Sequence, residues 1–311
     1  MKGIEISKEY YKQFGEPMLK KDFPELLSKI SVGLCGSGSE CYGFDDDISR
    51  DHDFSAGFCI FIPDEDLLDR RSAFLLERAY YKLPKEFMGL KRSAVNPAGG
   101  NRVGVIKISD FFINKVGSPD GQLSTNSWLT IPESFLAEAT NGEIFYDGAG
   151  IITDIRRRLK NMPEDIRLKR LAGNLVMMEQ SGLYNYNRCI SHGETAAAQL
   201  ALTEFCKTTL AVAFLLNKTY MPYYKWAFKA LRRLQKLGTI YDGLEFLISS
   251  DNSQDNIKLK NEIINDISAM VLNCTKELSN NGSNELSVQA SALNEQIKDS
   301  EIRNLNILYC V

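Results

Sequence analysis

The stretch Ile30-Ser31-Val32-Gly33-Leu34-Cys35-Gly36-Ser37-Gly38-Ser39 begins as a short apolar run and ends in a glycine–serine turn. A loop separates it from Asp51-His52-Asp53, which the apolar run 54–62 follows. This pattern predicts two strands, with the turn leaving the first and an Asp-x-Asp pair opening the second. Glycines allow backbone N–H groups to approach phosphate oxygens closely. Aspartates two residues apart on a strand point to one face, about 6–7 Å apart along it, so both can bind one metal cluster.

These residues predict a site for a nucleoside triphosphate and its magnesium ions. Mg²⁺ prefers hard oxygen ligands and is usually held by one or two carboxylates together with substrate phosphates. We expect Asp51 and Asp53 to be the metal ligands, because two neighbouring like charges are unfavourable unless a cation lies between them. Gly36, Ser37 and Ser39 are the expected nucleotide-binding residues, with Ser37 bonding a phosphate oxygen. The alternatives are an ordinary strand-to-helix turn and a solvated strand edge.

At Gly36-Ser37 and Asp51-x-Asp53 the chain resembles the polymerase-β-like nucleotidyltransferase superfamily. Its signature is a strand, a Gly-Ser turn and an Asp-x-Asp pair on the next strand. Three further segments resemble a bacterial family catalogued as domain of unknown function 4037, a nucleotidyltransferase-like family with a helical C-terminal half: 141–147, 182–185 and 215–226. The resemblance covers roughly residues 25–240. It implies a fold and a reaction class but no substrate.

A third carboxylate usually lies on a later strand in this superfamily, where it acts on the incoming hydroxyl group. The matching strand here, 102–108, contains no acidic residue, and Asp110 lies just beyond its end. Asp110 is therefore the candidate for the third catalytic carboxylate. Two alternatives stay open: an acidic residue from elsewhere in the chain takes this role, or the site is impaired.

The resemblance implies transfer of a nucleoside monophosphate from a magnesium-bound nucleoside triphosphate, first of all ATP, to a hydroxyl group. The acceptor is a small molecule or a protein side chain, pyrophosphate is released, and two metal ions flank the α-phosphate. Two other classes remain as alternatives: a non-catalytic nucleotide-binding sensor, which the absent third carboxylate favours, and a toxin–antitoxin-type transferase.

Two residues of the helical half complete the candidate site. We expect Arg188 to contact a phosphate or a substrate carboxylate. We expect Lys225 to reach the triphosphate while a neighbouring ring stacks on the base. The alternatives are a buried helix junction for 220–226 and, for Arg188 with His192, the Arg–His pair of helical ribonuclease toxins, from which the spacing differs by one residue.

Composition narrows the class of protein. The 311 residues suffice for two domains, and 44% hydrophobic with 25% charged residues is typical of a soluble globular protein. A formal net charge of −3 argues against a nucleic-acid partner. The apolar run 210–216 is far shorter than the roughly 20 residues that span a bilayer, so we expect no membrane partner. Seven cysteines without a CxxC pair favour the reducing cytoplasm. The sequence leaves the oligomeric state open.

The pattern along the chain predicts an α+β protein. A small mixed β-sheet nucleotidyltransferase domain is expected over residues 1–150 and an α-helical bundle domain over 151–311. Helices are predicted to begin at 22–27 and to run over 63–81, and residues from 127 onward are predicted to be almost only helix. The longest segments there are 164–181, 193–217 and 222–237, with loops at 249–260 and 279–284.

Overall fold

The computed structural model describes residues 1–46, 56–92 and 102–311. It confirms the predicted α+β class, because a small mixed sheet lies in the N-terminal part and the C-terminal part is helical. Asp51, His52 and Asp53 lie outside the described residues, so their predicted roles stay predictions.

The described chain divides into two compact units. The first comprises Met1–Leu123 and Ile131–Asn161, and the second comprises Ser124–Thr130 and Met162–Val311. The helix Ile151–Lys160, predicted to belong to the second domain, is part of the first unit.

Strands of the first unit form one mixed sheet and a short hairpin. The described strands are β1 (Ser31–Leu34), β2 (Cys59–Ile62), β3 (Glu86–Phe87), β4 (Leu90–Lys91), β5 (Gly104–Lys107) and β6 (Glu143–Asp147). The sheet order is β5-β2-β1-β6, and β3 pairs with β4. Strand β1 runs antiparallel to β2 and β6, whereas β2 and β5 are parallel. The strands predicted within 30–34, 54–62 and 102–108 are therefore confirmed.

Strand β6 corrects the expectation of almost continuous helix after residue 127. Glycines on both sides keep the strand close to its neighbours: the Gly142 N–H donates to the Cys41 carbonyl and the Gly148 N–H to the Ile30 carbonyl, both at 3.0 Å. A Cβ at Gly142, whose φ is +67°, would collide with the Leu34 carbonyl. Pairing with β1 thus determines this strand. The sequence of a five-residue segment between helices gives no sign of such a distant pairing.

The described α-helices up to residue 160 all belong to the first unit except α5, which belongs to the second. They are α1 (Gly3–Tyr10), α2 (Glu16–Asp22), α3 (Arg70–Lys82), α4 (Ile108–Val116), α5 (Thr125–Thr130), α6 (Glu133–Thr140) and α7 (Ile151–Lys160). A π-helical segment, Tyr11–Gly15, joins α1 to α2, and a 3-10 turn, Pro24–Leu26, follows α2.

Two predicted helix starts were wrong. Helix α3 begins at Arg70 and not at 63, because the Asp69 side chain caps it by accepting from the Ser72 N–H at 3.0 Å. At 22–27 only a 3-10 turn, Pro24–Leu26, begins, and the α-helix there ends at Asp22, since Phe23 (φ −141°) precedes a proline, a position that disfavours helical backbone.

The core of the first unit is rich in aromatic rings. The fully buried Phe58 ring lies 5.3 Å from Tyr11 and 5.2 Å from Tyr80 between ring centroids, both edge-on. A Cβ at Gly15 would collide with the Phe58 ring, so the π-helical segment requires glycine there. These contacts fix the helical N-terminus against β2, next to the strand that precedes the glycine–serine turn.

Helices of the second unit pack around α8 and α10. They are α5, α8 (Glu164–Met178), α9 (Tyr186–Ser191), α10 (Thr195–Leu216), α11 (Tyr224–Leu231), α12 (Tyr241–Ser249), α13 (Gln254–Ser279), α14 (Leu286–Glu295) and α15 (Ser300–Asn304). A π-helical segment, Glu179–Asn185, joins α8 to α9, and a 3-10 turn, Gly238–Ile240, precedes α12. The predicted loop 249–260 is shorter than expected, since α13 begins at Gln254.

Helix α10 is, within the described residues, the one helix long and apolar enough to cross a membrane. Of its most apolar window, 61% is buried inside the protein. It packs against α8, α9 and α12, as the central helix of a bundle does.

Candidate functional site

The glycine–serine turn directly follows β1 and requires glycine at two positions. Gly36 has φ +102° and Gly38 has φ +123°, both in the region that favours glycine. A Cβ at Gly38 would also collide with the Arg102 guanidinium. Gly36 is buried, whereas Ser37 is exposed. The turn therefore presents Ser37 at the surface of the first unit.

Asn141 anchors the turn from the start of β6. Its Nδ2 donates to the Gly36 carbonyl and its Oδ1 accepts from the Gly36 N–H, both at 2.8 Å. The amide side chain thus continues the β1–β6 pairing to Gly36, two residues beyond the end of β1. Gly36 is fixed at both of its backbone polar groups.

Arg156 on α7 holds Asn141 in place. This buried guanidinium donates through Nη2 to the Thr140 carbonyl at 2.9 Å and also to the Asn141 carbonyl. Its Nη1 lies 3.7 Å from the Cys35 sulfur. A rigid planar donor on several carbonyls fixes the connection between α6 and β6.

Two side chains converge on the Ser37 hydroxyl. Lys115 Nζ lies 3.1 Å from Ser37 Oγ, and that hydroxyl donates to Glu138 Oε2 at 2.9 Å. Lys115 and Glu138 form an ion pair at 2.5 Å between Nζ and Oε2, with side-chain exposures of 19% and 12%. Lysine, serine and glutamate thus form a closed triangle at the exposed tip of the turn, which we call the Ser37 triangle.

A second ion pair lies on the other side of the turn. Arg102 Nε donates to the Ser37 carbonyl at 3.0 Å, and its Nη2 pairs with Glu40. The Ser37 triangle and this pair together place two cations and two carboxylates around one turn. Among the described residues, the formal charges of these four groups sum to zero when all four are ionised.

Thiol groups near the turn are protonated at neutral pH. Burial raises the pKa of the Cys35 thiol to about 11, although Arg156 lowers it. Burial likewise raises the pKa of Cys41 and of Cys59 well above the usual range of a thiol. Because thiolates are the nucleophiles and metal ligands of cysteine chemistry, these residues supply neither at neutral pH.

Gly36, Ser37 and Ser39 lie together in the turn after β1, whereas Asp110 lies on α4. Ser39 begins a 3-10 turn, Ser39–Tyr42, and its carbonyl accepts from the Phe44 N–H at 2.9 Å. Asp110 is exposed in the first turn of α4, where a carboxylate is favoured by the helix dipole. On the same helix, Phe111 and Lys115 face Gly36, since a Cβ there would lie 3.5 and 3.8 Å from them.

Arg188 and Lys225 both lie in the second unit. Arg188 is exposed and donates to the Tyr184 hydroxyl at 2.9 Å. Lys225 is exposed with its ammonium 5.7 Å from the centroid of the Trp226 ring. His192 ends α9, and its N–H donates to the Arg188 carbonyl at 3.2 Å.

No group of three or more histidine, cysteine, aspartate or glutamate side chains suited to a metal ion occurs among the residues that the structure describes. The predicted magnesium ligands, Asp51 and Asp53, are carboxylates and as a donor set suit Mg²⁺.

Sequence reasoning did not single out the residues that surround the turn. Lys115 and Glu138 lie 78 and 101 residues from Ser37, so no local spacing reveals them. Asn141 belongs to the segment 141–147 on which the family resemblance rests, which is the signal that could have identified it.

Residues 128–227 match a family described as Domain of unknown function (DUF4037). This match confirms the resemblance to that family, and the description assigns it no activity. A comparison with curated proteins gives no significant match.

One similar solved structure is that of a nucleotidyltransferase-like protein from Exiguobacterium sibiricum 255-15. The two chains are 10% identical, the alignment covers 86% of this chain and 80% of the other, and the TM-score is 0.38.

Proposed function

We propose that this protein is a nucleotidyltransferase that transfers a nucleoside monophosphate from a magnesium-bound nucleoside triphosphate, first of all ATP, to a hydroxyl acceptor. The observation that supports the proposal is the turn after β1, which presents an exposed serine hydroxyl beside the Lys115 ammonium. The N–H groups of Ser37 and Gly38 have no acceptor among the described residues, so they are free to bond phosphate oxygens.

The proposed reaction forms one bond and breaks one. The acceptor oxygen attacks the α-phosphorus, and the bond from that phosphorus to the oxygen bridging to the β-phosphate breaks. The acceptor proton passes to a base, and pyrophosphate leaves. Magnesium ions, when bound, neutralise phosphate charge and favour ionisation of the acceptor hydroxyl.

Metal binding and phosphate binding are carried out by different residues in this proposal. Asp51 and Asp53 hold the metal ions. The Ser37 hydroxyl and the two free N–H groups orient the phosphate oxygens, and Lys115 offsets their negative charge. Gly36, fixed by Asn141, keeps these donors in one arrangement before the nucleotide binds.

The test is pyrophosphate release from labelled ATP and Mg²⁺ in soluble bacterial extract, with labelled products identified by mass spectrometry. We expect Asp51→Asn and Asp53→Asn each to slow release about 100-fold, because each removes a metal ligand. Asp22→Asn, which changes an exposed aspartate of the same unit, is the control and keeps the original rate. Equal release by all four proteins would refute the proposal.

A nucleotide-binding sensor is the second candidate. Strand β5 contains no acidic residue, and Asp110 is exposed on a helix instead of lying on a strand. Calorimetric binding of ATP and Mg²⁺ without pyrophosphate release in extract would favour the sensor.

A further inference from the structure

We infer that the Ser37 hydroxyl and the Lys115 ammonium form a phosphate subsite that the Glu138 carboxylate fills until a polyphosphate displaces it. The inference deepens the proposed function and rests on it. It makes Lys115 a phosphate-contacting residue and Glu138 a competitor built into the protein.

The chemistry of the Ser37 triangle supports this reading. A hydroxyl and an ammonium both approach Glu138 Oε2, at 2.9 and 2.5 Å. Charge-assisted donors of this kind bind carboxylate and phosphate oxygens alike. The carboxylate therefore stands in for a phosphate oxygen, at the turn where the proposed function requires one.

Lys115 and Glu138 each lie near the C-terminal end of a helix, where the helix dipole acts on them in opposite ways. Lys115 is the penultimate residue of α4, where the helix dipole favours a cation. Glu138 lies in the last turn of α6, where the same dipole disfavours an anion. The Lys115 ammonium is therefore stabilised by its own helix, whereas the Glu138 carboxylate depends on Ser37 and Lys115 for its position.

The charges around the turn explain why a phosphate would displace the Glu138 carboxylate. With Glu138 in place, the described residues around the turn supply two cations and two carboxylates. A bound phosphate next to that carboxylate would be repelled, so binding requires Glu138 to leave. Once Glu138 has left, the charged groups that the structure describes here (Lys115, Arg102 and Glu40) sum to one positive charge, which attracts an anion.

The experiment titrates sodium tripolyphosphate with Mg²⁺ into four forms of the full chain by calorimetry. The forms are the unchanged protein, Glu138→Gln, Lys115→Met and the control Glu143→Gln. The control removes the same charge and breaks a lysine ion pair of the same unit, that with Lys8. Thermal melting of each form verifies that it is folded.

We expect Glu138→Gln to bind tripolyphosphate about tenfold tighter and Lys115→Met about tenfold weaker, the size of one charge-assisted hydrogen bond. The control stays within about twofold of the unchanged protein, as expected for an exposed ion pair. Equal affinities of Glu138→Gln and Glu143→Gln would overturn the inference. Weaker binding by Glu138→Gln would overturn it too, since Glu138 would then be holding the site together or binding metal.

Pyrophosphate release separates this inference from the proposed function. Tighter tripolyphosphate binding by Glu138→Gln without transfer activity in any form would refute the transferase and leave the subsite standing. Transfer activity that responds to Asp51→Asn, combined with unchanged tripolyphosphate affinity in Glu138→Gln, would refute the subsite alone. Absence of tripolyphosphate binding in all folded forms would also refute the subsite.

Discussion

Half-buried and fully buried lysines in the two units are paired in different ways. In the first unit, Lys115 contacts a hydroxyl and a carboxylate beside an exposed serine, and 19% of its side chain is exposed. In the second unit, Lys169 and Lys260 are fully buried. Both ammonium groups donate hydrogen bonds to uncharged oxygens. The comparison indicates which lysine is available to a ligand and which ones stabilise the fold.

Lys169 joins the C-terminal segment to α8. Its ammonium donates to Asn294 Oδ1 at 2.9 Å and to the carbonyls of Arg303 at 3.2 Å and Leu305 at 2.6 Å. Three donors meet three acceptors, so this ammonium has no donor left for a ligand. Burial lowers the pKa of Lys169 from its ordinary value.

Lys260 has the same role at a loop. Its ammonium donates to the Ser250 carbonyl at 2.9 Å and to Asn252 Oδ1 at 3.0 Å. Both acceptors belong to the connection between α12 and α13. Lys115 differs because its carboxylate partner can be exchanged for another anion, whereas backbone carbonyls cannot leave their place in the fold.

The largest effect is expected where a buried lysine is removed from the second unit. Lys169→Met leaves buried oxygens without donors, so the free energy of unfolding should fall by about 3 kcal/mol. Lys115→Met should lower it by about 1 kcal/mol at most, since its ion pair is partly exposed. Urea denaturation of both variants measures the difference. Equal losses would break the distinction between the two lysines.

The strands of this fold were largely predictable, whereas the contacts around the turn were not. Apolar runs next to turn signals identified β1, β2 and β5, because burial of a short strand leaves a pattern within the strand itself. Strand β6 and the glycine at 142 depend on pairing with β1, which is distant in sequence. Glycines and Ser37 mark the turn locally, but Lys115 and Glu138 reach it only through the packing of α4 and α6.

Removal of the anchor of the turn should have the next largest effect. Asn141→Ala removes both hydrogen bonds to Gly36, so we expect the free energy of unfolding to fall by about 2 kcal/mol. Asn161→Ala is the control: its Nδ2 makes an exposed hydrogen bond to the Arg157 carbonyl. Denaturation curves compare the two. A loss for Asn141→Ala no larger than that of the control would show that the turn does not depend on Asn141.

The smallest effect, measured only between pH 9 and 10.5, concerns pH and a buried thiol of the second unit. Burial raises the pKa of Cys206 from 9.0 to about 12. Above pH 9 the unfolded chain loses this proton while the folded protein keeps it, so stability falls as pH rises towards 12. The contribution is about 1.4 kcal/mol per pH unit.

Cys206→Ala should flatten the decline in stability between pH 9 and 10.5. Cys189→Ala, which changes a half-buried thiol on α9, is the matched control. Unfolding free energies measured at several pH values give both slopes. An unchanged slope in Cys206→Ala would show that this thiol ionises as readily in the folded protein as in the unfolded chain.

In the proposed function, the turn after β1 binds a magnesium-bound nucleoside triphosphate. Hydrogen–deuterium exchange with and without ATP and Mg²⁺ tests it most directly. We predict that exchange slows in the peptides covering Gly36–Tyr42 and α4, while the peptide covering α14 is unaffected. Unchanged exchange at the turn, at an ATP concentration that protects another part of the chain, would contradict the claim.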